Sequence, residues 1–243
     1  MQQRVVARDR GSEPIRIQRM THVYGATLRG TAEYVENMLE KEILPSMQET
    51  WLDEFKSFEH SVYISKKLFA GIAAAVPAAS AAMRWLRNAA TQQPAGQRMQ
   101  WSTPTGFKVQ HDYQDYTDSQ VRLNSCGVVV TWVREWSSGT RAHAMRNAIA
   151  PNFVHAMDAS HLCMVSNSMG THSLSMVAIH DSFGTHACSV DTMHRIIREE
   201  FIRLYSQSNI MQSFTQEVEG VGEPPIRGSL DLSEVLNSEF MFS

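Results

Sequence analysis

The stretch Ser173–Gly184, SLSMVAIHDSFG, constrains this chain more than any other. Its apolar run Leu174–Ile179 reads as a buried strand, interrupted at His180-Asp181. A carboxylate where a buried strand meets a turn is costly unless it is paired, hydrogen-bonded or bound to a cation. Ser182 and Gly184 suit a turn, and Gly184 permits close backbone approach. Two readings of Asp181 stay open at this point. It caps its own turn, or it serves a hard cation such as Mg²⁺, which is held by one or two carboxylates together with substrate phosphates.

A second cluster bears on that choice. In Pro151–Leu162, PNFVHAMDASHL, the residues His155, Asp158 and His161 recur every three positions among Phe153, Val154, Met157 and Leu162. On a helix, His155 and Asp158 lie on adjacent turns of one face, so that face meets something polar. Histidine there can contact phosphate, ribose hydroxyl or a base edge as well as metal. The bland alternative is a buried His–Asp pair that fixes helix packing.

The rest of the chain supplies the frame. The spacing predicts a helix capped by Thr31 and running through Glu40, and a helical tract over Met47–Phe58. Leu68–Ala90 is alanine-rich and reads as buried helix, with Pro77 kinking it or opening a second one. Trp101–Tyr113 carries strand residues around a Thr-Pro-Thr-Gly turn, and Val128–Val133 reads as a buried β-branched strand. Pro151 suits the first turn of a helix carrying Phe153–Val165. Asp191 can cap a helix whose apolar positions are Met193, Ile196, Ile197, Phe201, Leu204 and Tyr205. A loop over Gly220–Gly228 precedes a short C-terminal helix from about Leu232 and the tail Phe240-Met241-Phe242. The expected class is α+β, mostly helical, with a small antiparallel sheet.

Charge and composition narrow the function. Charged residues make up 19% of the chain and hydrophobic residues 43%, which suits a folded domain rather than a disordered one. The net charge of −3 argues against a free-standing basic DNA-binding module. The arginines Arg84, Arg87, Arg98, Arg134, Arg141 and Arg146 offer only scattered local positive charge. Three cysteines, Cys126, Cys163 and Cys188, lack CxxC spacing, which fits a reducing compartment. The start MQQRVVARDRGSE lacks an apolar signal region, and no run reads as a membrane span, so a cytoplasmic protein is expected.

Taken together, APNFVHAMDASHL and AIHDSFGTHA resemble the C-terminal palm of single-subunit, phage-type DNA-directed RNA polymerases of phages and mitochondria. MTHVYG at Met20–Gly25 looks like the end of that family's fingers helix. AASAAMRWL at Ala78–Leu86 and the Trp101–Tyr113 segment match the region between fingers and palm, and EFMFS resembles the family's aromatic tail. The resemblance implies a leader over 1–19, fingers-derived helices over 20–100 and a palm over 101–243, whose small sheet carries the metal-binding turn. Ser-Phe-Gly after His180-Asp181 looks phage-like, implying a phage-encoded protein in the bacterial host cytoplasm.

The reaction so implied is template-directed attack of an RNA 3′-hydroxyl on a ribonucleoside triphosphate, assisted by two Mg²⁺ ions, with a DNA template and nascent RNA as partners. By resemblance Asp181 is one of two metal-binding aspartates and His180 supports its turn. Tyr24 and His155 would contact the nucleotide, and Arg16 stands where the family has a triphosphate-binding lysine. Arginine keeps that charge but is a poor proton donor. The family's arginine one turn earlier is replaced by Ser12, and its other metal aspartate, upstream of the fingers helix, has no counterpart in this sequence. The resemblance therefore implies inactivity alone and completion by an N-terminal polymerase portion in trans, or else an inactive remnant. A third reading, a metal-dependent phosphohydrolase using His155, Asp158, His161, His180 and Asp181, is disfavoured because His180-Asp181 ends a strand rather than lying in an all-helical site.

Overall fold

The computed structural model describes residues 27–43, 57–94, 96–124, 129–179, 181–207, 209–238 and 241. The chain forms two compact units, one ending at Met83 and one running from Arg84 to Ser243. In the first, helix α1 (Leu28–Met38) packs on helix α2 (Ser57–Ala75). Thr27, not Thr31, caps α1: its side-chain oxygen accepts from the Gly30 N–H at 3.2 Å. Thr31 instead lies buried in the helix beside Ala32 and Val35. One turn of π-helix, Leu39–Ile43, continues α1. The helical tract expected over Met47–Phe58 falls largely outside the described residues; Ser57 and Phe58 begin α2.

Pro77 opens helix α3 (Pro77–Gln92) after a break at Val76, because proline suits a first helical position and not an interior one. The expectation of a buried alanine helix is corrected here. Ala73, Ala74, Ala75 and Ala78 are exposed, and burial is confined to positions such as Ile72, Met83, Leu86 and Ala89. Alanine favours helix through its small entropy cost, with or without burial. Among the described residues no single helix is long and apolar enough to cross a membrane.

Among its described residues the second unit interleaves helices with three separate two-stranded antiparallel sheets, an α+β arrangement. Strands β1 (Met99–Ser102) and β2 (Lys108–His111) form the hairpin expected around Thr-Pro-Thr-Gly, with Gly106 at φ 84° closing the turn. Buried Trp101 packs from it against Phe153 at 6.2 Å and Phe214 at 5.3 Å between ring centroids. His111 bridges this cluster. Its Nε2–H meets the Met145 carbonyl at 2.9 Å while Nδ1 accepts from Asn152 Nδ2 at 3.0 Å. Burial presses the His111 pKa below the ordinary imidazole value, outweighing the Met145 carbonyl and Asp112, so a neutral ring suits this network.

Strands β3 (Gln114–Leu123) and β4 (Val129–Thr140) make a long ribbon. The buried strand expected over Val128–Val133 is corrected: Trp132 is 68% exposed and Trp136 60%. β-branched residues favour extended backbone whether or not a core covers them. Cross-strand partners hold the ribbon instead. Tyr116 meets Trp136 edge-on at 5.3 Å, and Arg134 lies 3.8 Å above the Tyr116 ring while pairing with Asp118 at 3.0 Å.

Helix α4 runs from Ala142 to Thr171 with Pro151 inside it, so Pro151 does not start the helix as expected. An interior proline costs about 3 kcal/mol, through the lost backbone hydrogen bond and the clash of its ring with the preceding turn. Buried residues on both sides, Met145, Ile149 and Ala150 before and Phe153 and Met157 after, offset that cost. The helix stops in a Schellman motif. Leu174 N–H bonds to Met169 C=O at 3.0 Å, Ser173 N–H to Gly170 C=O at 2.9 Å, and Ser173 adopts φ 57°. Leu174 packs against the core of Val165, Met169, Met193, Ile196 and Ile197.

Strand β5 covers Val177–Ile179 and β6 Ser182–Gly184, leading through one 3₁₀ turn into helix α5 (Val190–Gln207). Asp191 sits inside the first turn of α5, where a carboxylate complements the helix dipole, rather than at its cap. The predicted apolar stripe is present: Met193, Ile196, Ile197 and Leu204 are buried. Helix α6 (Ile210–Glu217), unforeseen in the sequence, delivers Phe214 to the aromatic cluster. Glu217 then accepts from Ser102 N–H and Oγ at 2.9 and 2.8 Å. The C-terminal turn Leu232–Asn237 is 3₁₀ helix, tied to α5 where buried Arg198 donates to Ser238 C=O. Because a left-handed conformation strains any residue with a Cβ, Ser173→Gly should stabilise the fold by about 1 kcal/mol, read as a rise in Tm.

Candidate active site

Helix α4 and the β5–β6 hairpin bring together the residues that chemistry singles out. Ile179 pairs with Ser182, so Asp181 lies at the turn of the β5–β6 hairpin. The side chain of Asp181 is exposed there. The strand before it is exposed as well, Val177 by 62% and Ile179 by 70%. The expectation of a buried strand is thus corrected, and the cost of burial no longer singles Asp181 out. Its neighbour does. Asp158 on α4 lies close enough to Asp181 to feel its charge.

Four effects act on Asp158. Desolvation raises its pKa most, the Asp181 charge raises it further, and His155 and His161 work in the opposite direction. The net shift is upward. Two carboxylates from different elements therefore share one neighbourhood with an exposed imidazole, His155, which also makes a further interaction of its own. His180, Tyr24 and Arg16 lie outside the described residues.

His161 leaves the polar face expected of it. It is buried, and its Nε2–H meets the Ile197 carbonyl of α5 at 2.9 Å. Its ring stands edge-on to Phe201 at 5.7 Å and to Phe183 at 6.1 Å. Phe183 belongs to β6 and packs against the Val165–Ile197 core. His161 therefore positions the hairpin through Phe183, and its ring nitrogen serves helix packing. Gly184 holds the same hairpin flat, because a Cβ there would stand 2.9 Å from Val177 Cγ1. Thr185 Oγ1 fastens the base by donating to Ser175 C=O at 2.6 Å.

Oxygen donors from Asp181 and Asp158 have the chemistry that Mg²⁺ takes. Among the described residues no three His, Cys, Asp or Glu side chains converge as a metal cage. The pair fits an open site whose remaining ligands are water, substrate phosphates or further protein oxygens. The composition of α4 gave Asp158 away as polar on an apolar helix. Its proximity to Asp181, about twenty residues later, had no local signal.

Helix α4 and the β5–β6 hairpin thus bring Asp158, His155 and Asp181 into one neighbourhood. The family model described as DNA-dependent RNA polymerase matches residues 14–222, and the chain belongs to that family. Over 92% of its length it is 34% identical to "DNA-directed RNA polymerase 3, chloroplastic" of Nicotiana sylvestris, covering 23% of that protein. It is likewise 34% identical to the "DNA-directed RNA polymerase" of Pseudomonas phage phiKMV, covering 27% of it. Identity to "DNA-directed RNA polymerase 1, mitochondrial" of Arabidopsis thaliana is 32%, over 23% of that protein. The chain spans about a quarter of the length of these relatives. Phage and plastid relatives stand at the same identity, so similarity alone does not separate phage from organelle.

Three outcomes follow from the geometry. Asp181→Asn removes a charge that raises the Asp158 pKa, so the Asp158 carboxyl should titrate at lower pH in that variant, followed by ¹³C NMR. Because the folded pKa of Asp158 is raised, ionising it costs stability as pH rises past its unfolded value. Asp158→Asn should accordingly raise Tm at neutral pH and lose that advantage below the ordinary aspartate range. Gly184→Ala should lower Tm and disorder the Asp181 turn, read as lost dispersion in the hairpin amide signals.

Proposed function

We propose that this chain supplies the C-terminal part of the catalytic centre of a DNA-directed RNA polymerase, with Asp181 as one of its metal-binding aspartates. The observation that carries the reading is the nearness of Asp181 to Asp158, close enough for the one charge to act on the other across hairpin and helix, in a chain whose family is the DNA-dependent RNA polymerases. Mg²⁺, when bound, would neutralise charge on the triphosphate and lower the pKa of the attacking hydroxyl. Asp181 is the residue that would hold it, and Asp158 adds negative field beside it. His155, exposed on the same helix, would touch the nucleotide or the primer end. Tyr24, Arg16 and His180 are assigned by family resemblance to the incoming nucleotide, the triphosphate and the Asp181 turn.

In the same reading residues 20–100 are fingers-derived and 101–243 are palm. The family's second metal aspartate would come from polymerase sequence outside these 243 residues. DNA template, nascent RNA and ribonucleoside triphosphates are the partners, and a phage origin with action in the bacterial host is the setting. A second reading, an inactive remnant, has one observation in its favour: Arg16 and Ser12 stand where the family carries lysine and arginine.

Extension of an RNA primer on a DNA template decides between them. The chain mixed with an upstream polymerase portion, Mg²⁺ and ribonucleotides should extend the primer. Asp181→Asn should lower the rate by about a hundredfold or more, as expected for a lost metal ligand. Extension that survives Asp181→Asn removes the central assignment. Failure of the unaltered chain beside a portion competent with another C-terminal partner favours the remnant.

A further inference from the structure

Two arginines tie the C-terminal segment along one flank of α5. Arg227 donates to Tyr205 C=O at 2.5 Å near the end of that helix, and Arg198 donates to Ser238 C=O at 2.5 Å two turns earlier. Between these points the 3₁₀ turn Leu232–Asn237 packs on α5. Arg198 is 6% exposed, and among the described residues no carboxylate pairs with it. Its second partner is half-buried His194, one turn earlier on α5, whose Nδ1 accepts from Arg198 Nη1. We propose that His194 and Arg198 form a proton-operated latch. Neutral His194 steadies Arg198 on the Ser238 carbonyl, and protonated His194 releases the C-terminal turn.

The chemistry of the acceptor is the first argument. A guanidinium only donates, so this contact exists while Nδ1 keeps its lone pair and the ring proton sits on Nε2. A second ring proton turns the acceptor into a donor. It also sets two cations side by side, one of them a buried guanidinium without a counter-ion. Histidine is the side chain whose charge changes between about pH 5 and pH 8. Protonation therefore works against the closed latch and not against the open one, so the latch closes above the imidazole range and opens as pH falls through it.

The surroundings are the second. On α5, Arg195 pairs with Glu199 at 2.8 Å and Arg203 with Glu200 at 3.1 Å, while Asp191 is exposed. From α4, Ser168 donates to Glu200, and His161 is bound through Nε2 to Ile197 C=O. The 3₁₀ turn brings exposed Asp231 and Glu234, and the loop before α5 brings exposed His186 and Cys188. Asp231 accepts from Ser233 N–H, which holds its carboxyl below the ordinary aspartate range, so it keeps its charge while an imidazole titrates. Of these groups, His194 is the one bonded to Arg198. Arg198 directly follows Ile197, so the latch shares a helix turn with the contact that positions the Asp181 hairpin.

Hydrogen exchange of the purified 243-residue chain tests the latch. Glu234 N–H bonds to Asp231 C=O at 3.2 Å and Ser238 N–H to Val235 C=O at 3.3 Å, so their protection, corrected for intrinsic exchange, reports closure. It should fall about tenfold or more between about pH 7.5 and about pH 5.5, while amides of the α4–α5 core keep theirs. His194→Gln, whose amide oxygen accepts at either pH, should hold the protection at both. Arg198→Gln should lose it at both, and Glu234→Gln should respond as the parent does. The ¹⁵N signals of the His194 ring read the same claim without a variant, with Nδ1 unprotonated at the higher pH. Five results overturn the latch: a protonated Nδ1 at the higher pH, equal protection at both pH values in the parent, a fall shared by the α4–α5 core, a response that His194→Gln retains, or protection that Arg198→Gln leaves unchanged. None of these measurements involves Asp181 or primer extension, so failure here is separate from failure of the proposed activity.

Discussion

The hydrogen bond from buried His161 to the Ile197 carbonyl is the constraint on which the candidate active site depends. It fixes α4 against α5 at the level where the β5–β6 hairpin docks. Phe183 of that hairpin meets the same imidazole edge-on and sinks into the same core. Asp181 therefore owes its place beside Asp158 to apolar packing one layer beneath it. A polar group buried in this way must be satisfied, or its desolvation would cost about 1–3 kcal/mol. Here the carbonyl of the neighbouring helix satisfies it, and the helix pair gains a register in return.

A second histidine performs a parallel task at the other end of α4. His111 links hairpin β1–β2 to the Met145 carbonyl and to Asn152, either side of Pro151. Around it Trp101, Phe153 and Phe214 join hairpin, α4 and α6 through edge-on and tilted ring contacts. The long helix is thereby clamped near both ends, by Met145 and by the Val165–Met169 core. That clamping explains how a proline persists in the middle of an unbroken helix. It also gives the second unit a rigid spine on which an exposed ribbon and an exposed aspartate turn can both be mounted.

The candidate groups of this unit sit where packing is thinnest. Asp181, His155 and the aromatic ribbon all occupy the surface of α4 or its neighbours. The chain spans about a quarter of its relatives' length, and a site of exposed carboxylates is chemically open to ligands from elsewhere.

Local pattern made much of this legible. The Met193–Leu204 stripe, the Thr-Pro-Thr-Gly hairpin, the break at Pro77 and the His180-Asp181 turn each follow from spacing or turn chemistry within a dozen residues. Pattern failed where burial had to be known. Val130, Trp132 and Val133, like Val177 and Ile179, were apolar enough for a core yet stand exposed, and the alanines near Pro77 face outward, because propensity does not say which surface meets another. By itself, then, the sequence determined the element types, the turn that offers Asp181 and the family to which the chain belongs. Only the tertiary structure decided that His161 serves packing while Asp158 comes near enough to Asp181 to feel its charge. Those outcomes rest on contacts between residues more than twenty positions apart, and pairwise packing and Coulomb energies of that range leave no periodic trace in the chain.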